Sequence, residues 1–154
     1  MVLTSPFSRA KQTAEQIVSC LGCPQLQEED DLRERHFGEF DGGTDDAYKL
    51  VWAMDALDDK YSQRGVESPW AVATRQMEVV MNADVEIGKR QYLFALEEKK
   101  GEGTPFPAGP AAIILVGHGD PLQLLLCRLM KRPLTEHRQL APLENCGVRV
   151  FELY

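Results

Sequence analysis

No apolar run in this chain approaches the roughly 20 residues needed to cross a bilayer. The longest, Ala111 to Val116, has the length of a strand. The opening Met1-Val2-Leu3-Thr4-Ser5-Pro6 lacks a basic segment followed by an apolar stretch, so no secretory signal is read there. Positive charge is also in deficit: 17 Lys and Arg against 24 Asp and Glu leave a formal charge of −7. An acidic surface argues against nucleic-acid and anionic-membrane partners. It also repels an anionic substrate unless a cleft gathers cations locally. Cysteine is sparse, at four residues, and nothing else suggests export, so reduced thiols and a cytoplasmic location are expected.

Cys20 and Cys23 form a C-x-x-C pair at the end of an expected helix. A redox or metal half-site is one reading, and an ordinary pair of thiols is the simpler one. Cys127 and Cys146 form no second pair, and no histidine sits nearby at zinc-like spacing. No metal or redox site is expected of these cysteines.

What is present is a single domain's worth of apolar residues, 44% of 154. Val2 to Thr4 reads as a short strand running into Ser5-Pro6, a helix start with proline at the first helical position. Ala10, Ala14, Ile17, Val18 and Leu21 follow at helical spacing, and Gly22 closes the helix. Pro24 to Leu32 is a weaker extended piece, and Phe37 to Gly43 a glycine-rich loop. Asp45 to Leu57 predicts a helix with Tyr48, Val51, Trp52 and Met54 inward. Ser68-Pro69 repeats the Ser5-Pro6 design and opens a helix to about Lys99, with Trp70, Ala73, Met77, Val80 and Met81 as its stripe.

Gly101 to Pro110 predicts a surface loop. Ala111 to Val116 predicts a strand buried on both faces. Gly117-His118-Gly119 is a turn, Asp120-Pro121 caps a helix over Leu122 to Met130, and Cys146 to Leu153 is the last strand. This order describes an α/β layered domain. In such folds ligands sit beyond strand C-termini, beside helix N-termini. Thr4-Ser5 and Gly117-His118-Gly119 have that placement.

Three places carry candidate chemistry. Arg9, one turn into the first helix, is either a phosphate-gripping fork or a solvated surface arginine. His118 is either an anion-binding, proton-exchanging imidazole or a turn histidine bonded to backbone. Glu34-Arg35-His36-Phe37-Gly38 offers a carboxyl that an apolar setting could turn into a general acid, or simply a charged loop. His137 falls in a polar loop and is expected to be exposed.

Taken together, these blocks resemble a known family. Leu3-Thr4-Ser5-Pro6-Phe7-Ser8-Arg9-Ala10-Lys11-Gln12-Thr13-Ala14 resembles the T-S-P-L-x-R-A-x-Q-T-A block of the histidine phosphatase (phosphoglycerate mutase-like) superfamily. Leu32 to Gly38, with Phe40-Asp41-Gly42, is similar to its L-x-E-x-x-F-G-x-x-x-G block. Gly65 to Ser68 resembles the G-E-S helix start, with Arg75 at the position of a later arginine. Ile114 to Gly119 resembles the second-histidine block, and Asn145 to Val148 the N-x-x-V block before the last strand.

The resemblance implies a three-layer α/β/α domain over 1–154 with a mostly parallel central sheet. It implies phosphomonoester hydrolysis through a phosphohistidine, with no cofactor. Arg9 would grip the phosphoryl group, Glu34 would protonate the leaving oxygen, and His118 would bond the equatorial oxygens. The family's nucleophilic R-H-G segment has no counterpart here, and Arg35-His36-Phe37 only echoes it. The expectation is an N-terminally incomplete domain, truncated or a pseudoenzyme, that lacks its first, central strand and is inactive as it stands. The strands at Ala111 to Val116 and Gly147 to Leu153 would then pair directly, capture a strand from another chain, as in a homodimer, or lose order.

The alternative is a non-catalytic phosphate-binding or scaffold protein of the same fold. A mutase is disfavoured, because the stretch where mutases carry an arginine pair is the acidic Gly43-Thr44-Asp45-Asp46-Ala47. The partner implied is a phosphorylated small molecule or phosphoprotein.

Overall fold

The first strand, β1 (Val2–Thr4), is fully buried, and it organises the sheet. In the computed structural model, which describes residues 1–22, 25–100 and 112–151 (92–100 in backbone only), β1 lies between two parallel neighbours. These are β2 (Leu26–Glu28), with Val2 opposite Leu26, and β3 (Ile114–Val116), with Val2 opposite Ile114. Between them run α1 (Ser8–Leu21), α2 (Asp45–Asp55) and α3 (Pro69–Lys100); α4 (Gly119–Leu129) follows β3. Short 3₁₀ turns at Asp30–Leu32, Gly38–Phe40, Gln63–Gly65 and Leu134–Gln139 fill the connections.

The two-residue period of a strand separates the faces. Leu3 and Leu115 pack with Leu32 and with Val79 and Ala83 of α3. Val2 and Thr4 turn to the other side, where α1 lies with Ala10 and Ala14 buried. The result is the expected α/β/α layering with a parallel sheet. A second apolar cluster joins α3 to α4 through Val72, Ala73, Leu124, Cys127 and Leu134. A third joins Phe37, Val51 and Val66, with Tyr48 and Trp52 alongside, and seats α2.

Gly22 ends α1 in the left-handed region at φ +61°, donating its N–H to Val18 O. Gly38, at φ +58°, leaves no room for a side chain: a Cβ there would overlap Arg64 O and crowd the backbone of Gly65 and Val66. That close approach lets Phe37 bridge to Val66, bringing the Glu34 loop against the start of α3.

Several expectations are corrected. α1 begins at Ser8, two residues after Pro6, because Ser5 Oγ accepts the N–H of Phe7 and holds the chain extended there. The buried face of α3 is Val72, Ala73, Arg75, Gln76, Val79, Val80 and Ala83, whereas Trp70 and Met81 are about half exposed. β3 is only half-buried, because one of its edges has no strand beside it among the described residues. The last strand is not formed over 147–151: Val148 and Val150 are exposed and pair with no neighbour there. Alternating valines suit a strand, but a ladder needs a partner edge. Gly101–Pro110, Cys23 and 152–154 lie outside the described residues. Among those described, no helix is long and apolar enough to cross a membrane.

Candidate functional site

Parallel register sets two chain turns side by side. Thr4 opposes Val116, and Ser5 N donates to Val116 O at 2.9 Å, so both strands leave the sheet at one level. Just beyond them stand Ser5, leading to α1, and His118, the N-cap of α4. Two helix N-termini thus face the same spot, a setting that favours an anion.

His118 is buried. Its Nε2 lies 2.8 Å from Ser5 Oγ, and the rings of Phe7 and His118 meet in a T-shaped contact with centroids 5.2 Å apart. Arg9, the second residue of α1, donates from Nη2 to His118 Nδ1 at 2.9 Å and reaches Glu34 Oε2 at 3.4 Å. Glu34 Oε2 is in turn 3.5 Å from His118 Nδ1. Arg9, Glu34 and His118 are therefore in mutual contact, although 109 residues separate the outer two. The Arg9 side chain is 62% exposed, so the cluster opens to solvent on that side.

The Glu34 carboxyl is pushed above its ordinary range, chiefly by burial. The N–H of Arg35 and the charge of Arg9 pull the other way, and the nearby Asp120 carboxylate adds to the rise. His118 is driven down to about 4 by burial and by the charges of Arg9 and Arg75. At neutral pH its ring is uncharged. Arginine can only donate, so Nδ1 is the acceptor and the proton sits on Nε2, toward Ser5.

Glu34 is held by arginines the sequence placed less sharply. Arg75 of α3 donates to the carbonyls of Asp31, Arg33 and Glu34, anchored by Glu67 at 2.7 Å. Glu67 would be raised by burial, but Arg75 holds it below its usual range. Arg35 is completely buried; it grips Asp55 of α2 through two bonds of 2.7 and 2.8 Å and reaches Asp120 of α4 at 3.3 Å. Behind Asp120 stands His137, which is 1% exposed, contrary to the expected surface position. Its Nδ1 meets Leu134 O at 3.0 Å.

The remaining imidazoles are elsewhere. His36 contacts Gly65 O, Gly38 N and Asp41, and His137 the buried carboxylates. Cys20, Cys127 and Cys146 are free, and no group of His, Cys, Asp or Glu suited to a metal occurs among the described residues. A surface depression of about 470 Å³ at the far end of α4, lined by Arg128, Lys131, Arg132 and Pro133, shares no residue with the cluster.

Comparison with solved structures gives a consistent picture. The chain superposes on a protein described as mycobacterial hydrolase 2 with a TM-score of 0.66 and 26% identity, over 94% of this chain and 58% of that one. A mycobacterial glucosyl-3-phosphoglycerate phosphatase gives 0.65 and 24%, over 94% and 65%. The alpha-ribazole phosphatase from Shigella flexneri gives 0.55 and 19%, over 94% and 62%. The chain thus spans less than two thirds of these structures' length. No curated protein matches it. The family model of the histidine phosphatase superfamily (branch 1) matches residues 1–154, and the chain belongs to that superfamily.

Proposed function

We propose that Arg9, Glu34 and His118 form a phosphoryl-binding site, and that the protein to which these 154 residues belong hydrolyses phosphomonoesters through a phosphohistidine. The observation that carries this is the contact of a guanidinium, an acid of raised pKa and a neutral imidazole at two helix N-termini. Family membership supports the phosphohistidine chemistry, and the likeness to a mycobacterial hydrolase at 26% identity supports hydrolysis over mutase chemistry.

Each group has a task it suits chemically. Arg9 offers two parallel N–H donors to the phosphoryl oxygens. Glu34, protonated further up the pH scale than a free carboxyl, can give its proton to the leaving oxygen. His118 can donate from Nδ1 once its proton has moved there, because the Ser5 hydroxyl can accept from Nε2 or donate to it. This stabilises charge as it builds on the equatorial oxygens.

Neither His36 nor His137 touches the cluster. These 154 residues by themselves therefore hold phosphate without turning it over, and phosphorylated small molecules or phosphoproteins are the ligands. The test is inorganic phosphate titration alongside p-nitrophenyl phosphate turnover. Saturable binding that weakens by about 10- to 100-fold in Arg9→Ala, with no turnover, is the expected outcome. Turnover abolished by His118→Ala overturns the inactivity of this chain, and absence of binding overturns the site.

A further inference from the structure

Glu34 and His118 come from separate parts of the chain, yet their carboxyl and ring stand 3.5 Å apart. Each has a close neighbour in the other's support. Arg35 follows Glu34 directly, and its N–H fixes Glu34 Oε1 at 3.1 Å, which leaves Oε2 for Arg9 and His118. Asp120 lies two residues past His118, in the first turn of α4. Arg35 Nη1 reaches Asp120 Oδ2 at 3.3 Å in the buried interior.

We propose that Arg35 and Asp120 form a positioning pair that registers the Glu34 loop against the His118 turn. This rests on the phosphoryl-site reading above and adds to it how the two walls are kept at working distance.

Two observations and one chemical argument support the pairing. The Arg35 guanidinium is spent in three directions: Nε on Glu67 O at 2.8 Å, both terminal nitrogens on Asp55, and Nη1 also on Asp120. It thereby ties the end of α2 and the starts of α3 and α4 to the residue beside Glu34. Asp120 Oδ1 lies 3.4 Å from His137 and 3.8 Å from Arg138 but has no hydrogen-bond partner, so the bond from Arg35 to Oδ2 is what orients this carboxylate. A buried ion pair is not needed for stability, since apolar residues of similar size often do as well. What a planar fork adds is fixed direction and distance.

The test uses two variants of the whole 154-residue chain, each checked for folding by circular dichroism. Asp120→Asn keeps the shape and leaves Arg35 neutralised by Asp55. Arg35→Lys keeps the charge, but one ammonium cannot span Glu67 O, Asp55 and Asp120. Inorganic phosphate is titrated into each at pH 7. Positioning predicts that both bind about tenfold more weakly. For Asp120→Asn this is the opposite of what charge alone gives, because losing a carboxylate favours an anion.

Phosphate affinity within twofold of the unaltered chain in either folded variant overturns the proposal. If the unaltered chain binds no phosphate, the site reading fails on its own account. The pair is then judged by the nuclear Overhauser contact between the Glu34 side chain and the His118 ring. Loss of that contact in the folded variants upholds the pairing, and its retention overturns it.

Discussion

Nη2 of Arg9 donates to Nδ1 of His118 across 2.9 Å, so a cation rests on the very nitrogen that an incoming anion needs. The groups of the cluster thus bond to one another. A bound phosphate must draw the guanidinium off the ring, and the imidazole must then present a proton where it had a lone pair.

The first prediction concerns that proton. In the free chain, Nδ1 of His118 shows the nitrogen chemical shift of an acceptor and Nε2 that of an N–H. Saturation with phosphate reverses the pattern at Nδ1, whether by tautomer exchange through Ser5 or by net protonation. A Nδ1 shift unmoved at saturating phosphate contradicts a direct bond to the anion.

A second prediction isolates Arg9. Its side chain is largely exposed and its pair with Glu34 is loose, so Arg9→Ala changes stability by no more than about 0.5 kcal/mol. Phosphate affinity falls by about 10- to 100-fold, as expected for loss of a charge-assisted fork. The His118 midpoint, held down partly by Arg9, rises. Urea melts, phosphate titrations and histidine proton shifts measure the three effects.

The pH dependence of stability follows from His118. Its folded midpoint, about 4, lies below the ordinary 6.5, so between these values the unfolded chain binds more protons. Stability is intact above pH 6.5 and declines toward pH 4, by up to about 3 kcal/mol from this group alone. Glu34 acts in the opposite sense: its raised midpoint favours the folded state at low pH and costs stability as pH climbs past 4.5. Urea denaturation from pH 4 to 8 shows the net slope. In His118→Asn the loss toward acid shrinks, and an unchanged profile in that variant refutes the assignment.

Removing Asp55 takes from the fully buried Arg35 guanidinium its two-bond partner and leaves Asp120, at 3.3 Å, as its counter-ion. Asp55→Ala accordingly destabilises the fold by about 3–5 kcal/mol. Thermal melting of this variant against Asp46→Ala, whose carboxylate is exposed on the first turn of α2, reports the difference.

At Gly38 the cost comes from backbone rather than charge. Gly38→Ala places a methyl on the Arg64 carbonyl at a left-handed φ. The loss exceeds about 2 kcal/mol, with Phe37 and Val66 separating. A melting curve overlapping that of the unaltered chain excludes the close approach.

Local chemistry made part of this legible from sequence. Gly22 stops a helix and Ser68-Pro69 starts one, because each acts on its own few residues. Gly117-His118-Gly119 stood out as a strand-end turn for the same reason, the α/β layering followed from the order of such signals, and the parallel sheet was implied by the family resemblance. Nonlocal pairing was hidden. Arg35 looks like a loop cation until Asp55 and Asp120 come to it from 20 and 85 residues away. Arg75 and Gln76 sit on the buried face of α3, and their polarity displaced the expected stripe. His137 read as exposed because the carboxylates that bury it belong to other elements. Gly147 to Phe151 shows the converse, a strand-like pattern with no edge to join among the described residues.

The three-residue ladder between β1 and β3 also has a kinetic meaning. Ser5 leaves that ladder through a bond to Val116, one residue before the glycine that leads into His118. Slow amide exchange at Ser5 would mark that wall as sharing the lifetime of the sheet's interior. Glu34 lies in no strand and is held by the Arg35 N–H and by the side chains of Arg9 and Arg75, so its lifetime is set by arginine contacts and not by the ladder.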